Sequence, residues 1–117
     1  MSRISRSWGN LWEILHQHLR LPFRQIAQLI GISERTLYRW RTGMGSPPPV
    51  HNQTLGTLSE FVTEFMDMFG PAGSEGLLWL RTPVPALRNT TPLDLILAGK
   101  IDQVTTVLGR ANRGEMA

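Results

Sequence analysis

Residues 23–43, FRQIAQLIGISERTLYRWRTG, decide how this chain folds. The stretch reads as two short helices hinged at Gly31. Ile26, Ala27 and Ile30 place an apolar stripe on the first helix, and Ile32, Leu37 and Trp40 place one on the second. Ala27, four residues before Gly31, leaves room for the second helix to cross closely. Gly31 supplies a left-handed turn that a β-carbon resists. Ser33 then caps a new helix, its hydroxyl accepting a backbone N–H near Thr36. This is the layout of a helix-turn-helix, whose second helix presents its N-terminal residues to the DNA major groove. Once the core positions are set aside, Ser33, Glu34, Arg35, Thr36, Tyr38, Arg39 and Arg41 remain for solvent or DNA. Arg35 and Arg39 lie one turn apart and suit guanine edges, whereas Arg24 and Arg41 suit phosphates.

Upstream, Trp8, Leu11, Trp12, Leu15 and Leu19 recur at helical spacing and predict the first helix of a three-helix head spanning residues 8–43. Trp40 is expected in that head's core, bracing the second helix of the motif against Trp12 or Ile26. His16 and His18 point to different helix faces, so a shared metal is not expected. Pro22 fits at or just before a helix start. Arg3 and Arg6 fall in a polar beginning that reads as a solvated tail. Residues 44–51 form a Gly/Pro linker, in which three successive prolines favour an extended spacer.

Charge divides along the same line. The 117 residues carry a net +3, yet residues 1–53 hold seven Arg against two Glu, and residues 54–117 hold five basic against seven acidic side chains. A basic first half suits phosphate contact, the main source of sequence-independent DNA affinity. The second half has no such footprint, so two tasks are implied.

Residues 52–117 predict a helical body. Asn52 is placed to cap a helix along which Leu55, Leu58, Val62, Phe65 and Phe69 recur at steps of three and four. Phe61, Met66 and Met68 widen that face, enough for a core and for a homodimer contact through Leu58, Phe61, Val62 and Phe65. Gly70-Pro71 ends this helix. A second helix runs from Ala72 to Arg81, and residues 82–90, with Pro83 and Pro85, form an ordered loop. Thr91-Pro92-Leu93-Asp94 opens another helix with a cap, a proline in the first turn and an acid near the positive end. The last helix is expected from Lys100 to Leu108, burying Ile101, Val104, Val107 and Leu108, with Gly109 as its stop. The remainder, RANRGEMA, has too few apolar residues to add to a core. The fold class is therefore all-α, with a helix-turn-helix head and a small C-terminal helical body.

Other functional classes find little support. AGSEG around Ser74 lacks both the first glycine and the preceding strand of a nucleophile elbow. There are only three histidines and no cysteine, no metal constellation and no phosphate-cradling glycine loop, so neither catalysis, a metal nor a cofactor is expected. No run is long enough to span a membrane, and the beginning lacks the apolar region of a signal peptide. A cytoplasmic protein is expected.

The helix-turn-helix spacing resembles that of the Xre and phage-repressor families, in Ala27, Gly31, Ile32, Leu37 and Trp40. Farther on, Phe69-Gly70, Trp79-Leu80-Arg81-Thr82-Pro83, Pro85-Ala86-Leu87, Thr91-Pro92-Leu93-Asp94-Leu95, Gly99, Val104, Leu108 and Gly114 resemble the Xre/MbcA/ParS-like toxin-binding domain. Head and body together carry the resemblance over roughly residues 10–114. It implies an antitoxin of a type II toxin–antitoxin pair that dimerises, binds its own promoter and neutralises a RES-domain toxin that depletes NAD⁺. On this resemblance, Trp79, Arg81 and Arg88 would contact the toxin. Arg110, Asn112, Arg113, Glu115 and Met116 would cover its active-site entrance. Glu115 departs from the apolar or aromatic residue that many relatives carry after the glycine. The alternative is a stand-alone dimeric helix-turn-helix transcriptional regulator.

Overall fold

The computed structural model describes residues 11–70 and 74–114, in which most of the apolar residues at helical spacing fall in helices. Residues 11–13 are α-helical and run into a π-helical segment, Ile14–His18. Then come α1 (Phe23–Ile30), α2 (Glu34–Arg41), a 3-10 turn at Pro49–His51 and α3 (Asn52–Phe69). They are followed by α4 (Ser74–Leu80), a 3-10 turn at Pro85–Leu87, α5 (Pro92–Leu97) and α6 (Ile101–Asn112). Among the described residues there is no strand, and Val84 and Thr90 form an isolated antiparallel bridge. The all-α expectation is met. Trp8, Pro71 and Ala72 lie outside the described residues.

The chain divides into two compact units, Met1–Ser59 and Glu60–Ala117. The division falls inside α3, whose Leu55 and Leu58 belong to the first unit.

In the first unit, α1 and α2 have eight residues each, too short to persist alone in water. Their stability comes from burial. Ile26, Ala27, Ile30 and Leu37 are buried, as are Leu11, Trp12, Leu15, Leu19, Leu21, Leu55 and Leu58. Each large aliphatic side chain so removed from water contributes on the order of 1.5–3 kcal/mol. Gly31 has φ +87° and its amide bonds to the carbonyls of Ala27 and Gln28, so the hinge has the predicted left-handed form.

The helix ahead of α1 ends differently from the ordinary one expected. The Leu19 amide reaches the Ile14 carbonyl at 3.3 Å, and the Leu21 amide reaches that of Leu15 at 3.1 Å. These wider turns leave Leu15, Leu19 and Leu21 all buried. Arg20 takes the left-handed conformation, φ 61°, where a glycine would meet less steric resistance.

The second unit is built on an aromatic ladder. Ring centroids of Phe61 and Phe65 lie 5.7 Å apart, those of Phe65 and Phe69 lie 5.0 Å apart, and those of Phe69 and Trp79 lie 5.5 Å apart. Tilted pairs at these distances suit the aromatic quadrupole. α4 approaches closely because residue 76 is glycine: a β-carbon there would stand 2.5 Å from Phe65 Cζ. Leu80, Leu87, Ile96, Val104 and Leu108 complete the core. Thr91 caps α5 as predicted, accepting the Asp94 amide at 3.1 Å.

Four expectations are corrected. Leu58, Phe61, Val62 and Phe65 are buried within the chain itself, so the seam assigned to a homodimer contact is core. Asn52 is helical, φ −58° and ψ −40°, because the Pro49–His51 turn already leads into α3. Gly109 does not stop the last helix. It is buried inside α6, which continues to Asn112, and Gly114 takes the left-handed conformation beyond it. Finally, Ile101 and Val107 are only half-buried on α6, where Val104 and Leu108 carry the apolar contact.

Candidate binding surfaces

In the first unit the exposed side of α2 holds the residues assigned to DNA, although not all are equally free. Ser33 is committed to the cap. Its Oγ accepts the Thr36 amide at 3.1 Å and donates to Thr36 Oγ1 at 3.0 Å. Glu34 sits in the first turn, where its charge complements the positive helix end. Arg35, Tyr38 and Arg39 are exposed, Tyr38 by 53%. Behind them, Thr42 Oγ1 donates to the Tyr38 carbonyl at 2.9 Å, and the Met44 amide reaches the Arg39 carbonyl at 2.8 Å. The end of the helix is thereby tied down, so these three side chains project from a fixed backbone.

Trp40 is half-buried, a correction to its assignment as a core residue. It does face Trp12 as predicted, with centroids 5.9 Å apart, while His51 meets it edge-on at 5.5 Å. Sequence spacing gave no signal for the His51 contact.

Arg24 is exposed in the first turn of α1, whose N-terminal amides have no side-chain cap because Pro22 occupies that position. Arg41 is not a free arm. Its guanidinium carbon lies 3.7 Å from the Phe23 ring centroid, and the His16 ring stacks on Phe23 at 3.8 Å and 17°. His16 Nδ1 lies 2.9 Å from the Leu21 carbonyl, which can only accept, so this nitrogen carries a proton.

In the second unit the assigned residues are carried by α4, the loop after it and the end of α6. Trp79 is half-buried through its contact with Phe69. Arg81 is exposed just past α4. Arg88 sits on a closed loop in which the Val84 carbonyl accepts the amides of Leu87 and Asn89, at 2.9 and 3.0 Å. Arg88 and Asn89 both take left-handed conformations there, φ 58° and 59°. Arg110, Asn112 and Arg113 are exposed at the end of α6, with Asn112 bonded to Glu64. Glu115 and Met116 lie outside the described residues. Leu78, on α4, is 70% exposed. In the run Leu77-Leu78-Trp79-Leu80 a helix cannot turn every side chain inward, which is the signal that could have found it.

Among the described residues no group of three or more His, Cys, Asp or Glu could hold a metal ion, and no helix is long and apolar enough to cross a membrane.

Residues 66–114 match the antitoxin Xre/MbcA/ParS C-terminal toxin-binding domain, and residues 5–45 match a homeodomain-like domain. The chain is 26% identical over 102 residues to a protein named Antitoxin Xre from Yersinia enterocolitica serotype O:8 / biotype 1B, covering 86% of this chain and 68% of that one. Its fold is similar to that of a chain in the crystal structure of the M. tuberculosis MbcT–MbcA toxin–antitoxin complex. There the TM-score is 0.67, with 18% identity and 97% of each chain covered.

Proposed function

We propose that this chain, a member of the Xre/MbcA/ParS antitoxin family, neutralises a cognate RES-type, NAD-degrading toxin through residues 52–117 and represses its own operon through residues 8–43. The observation that carries this reading is the match of residues 66–114 to the family's toxin-binding domain. The basic first unit, with Arg35, Tyr38 and Arg39 exposed on a pinned helix, supports promoter binding. In this reading the protein is cytoplasmic and acts as a homodimer through a surface other than the core seam of α3. Trp79, Arg81, Arg88, Arg110, Asn112, Arg113, Glu115 and Met116 are the residues proposed to meet the toxin.

Co-expression with the product of the adjacent reading frame tests it. The expected result is co-purification of the two proteins and restored growth of cells making the toxin. Absence of both would sink the toxin assignment. The homeodomain-like match over residues 5–45 also suits a stand-alone regulator. Promoter binding with neither co-purification nor rescue would favour that reading.

A further inference from the structure

We propose that Phe23 and His16 are positioning residues that hold Arg41 ready for a backbone phosphate of DNA. The inference rests on the proposed DNA binding and adds a device to it. Arg41 lies in the last turn of α2, away from the end that meets base edges in helix-turn-helix docking. Phe23 opens α1, and in such docking the first helix of the pair crosses the sugar–phosphate backbone. The 3.7 Å stack therefore carries the Arg41 cation from the second helix onto the first helix's leading end.

Two further observations bear on how firmly it is held. The other face of Phe23 is covered by His16, whose Nδ1 is anchored to the Leu21 carbonyl at 2.9 Å. The ring thus has a layer on each side and little freedom to turn. Arg41 Nε is sealed from solvent without a hydrogen-bond partner, while the residue as a whole is only half-buried. A long cation usually loses rotamer freedom when it binds. Here the aromatic stack imposes that order beforehand, which favours binding through preorganisation. Exposed Arg24 follows Phe23 directly, so a second positive charge stands beside the same helix end.

The test measures binding of the full chain to two duplexes, one from its own promoter region and one of scrambled sequence, across a range of salt. Arg41→Gln should weaken both duplexes by the same factor, about tenfold, and reduce the slope of log affinity against log salt by about 0.9. Phe23→Leu should weaken both by several-fold, and Phe23→Tyr should restore most of the loss. The decisive readout is the Phe23→Leu/Arg41→Gln double variant, which should bind no worse than Arg41→Gln alone. Additive losses would overturn the proposal, because Phe23 would then act independently of Arg41. An unchanged salt slope in Arg41→Gln would overturn it as well. Thermal melts identify any variant that fails to fold; Phe23→Tyr and Arg41→Lys, which keep the stack, then carry the comparison and should stay near the parent. If the parent chain binds neither duplex, the DNA reading itself fails and takes this inference with it.

Discussion

Asn112, at the end of α6, donates through Nδ2 to both the backbone oxygen and Oε1 of Glu64 on α3, at 3.0 and 2.7 Å. Forty-eight positions of sequence separate the two. The last turn of α6 is therefore clasped to the body. A β-carbon at the buried Gly109, one turn earlier, would stand 3.8 Å from Glu64 Oε1, in ordinary contact with the same side chain.

This clasp changes what truncation should do. Removing residues 110–117 takes away a helical turn and both bonds to Glu64, so the melting temperature should fall. Asn112→Ala alone should cost about 0.5–1.5 kcal/mol, the usual net value of such bonds at an exposed site. Removing only residues 115–117 spares Glu64 and Asn112. In that truncation growth rescue against the toxin should weaken while the clasp persists. Melting curves and rescue assays run in parallel separate the two effects, and full rescue by the short truncation would remove the terminal residues from the neutralising surface.

Gly76→Ala should destabilise the second unit by about 1–3 kcal/mol, since an added methyl meets the fully buried Phe65 ring. Phe65→Leu in the same chain should recover part of the loss by vacating that space. Denaturant melts of the two single variants and the pair provide the measurement. An unchanged midpoint for Gly76→Ala would mean that α4 shifts freely.

Phe65→Ala should behave as a core deletion, costing roughly 3–5 kcal/mol and not simply releasing monomers. Sedimentation and thermal melting on the same sample distinguish these outcomes. A stable, monomeric Phe65→Ala protein would return this residue to an association surface.

Arg35→Ala and Arg39→Ala should each weaken promoter binding by about 1–3 kcal/mol if they read base edges, with far less effect on scrambled duplex. Their exposure on a pinned helix is the basis for expecting discrimination. Gel-shift titrations against both duplexes measure it, and equal losses on both would reassign the pair to phosphates.

The local grammar of the fold was legible in the sequence because caps and hinges depend on near neighbours. Ser33, Gly31 and Thr91 act where spacing placed them, since each position is set by backbone geometry within four residues. The resemblance carried by residues 79–95 likewise pointed to the antitoxin family. Contacts between distant segments were not legible. An apolar seam on α3 looks the same whether a second copy or the chain's own α4 covers it, and only the glycine fitted over Phe65 shows which. Gly109 resembled a stop because the Asn112–Glu64 bonds at the end of the longer helix join residues far apart in sequence. The stack on Phe23 brings together residues 16, 23 and 41, and no periodicity within one helix predicts such a meeting.

The π-helical segment Ile14–His18 has a consequence for lineage. Such a turn holds one residue more than an α-helical turn between the same ends. Deleting a single residue there would let an ordinary helix connect the same flanking segments, whereas a deletion within α1 or α2 would rotate every later side chain of that helix by about 100°. Length differences between homologous heads should therefore collect at this turn, and an alignment that opens a one-residue gap here follows the architecture.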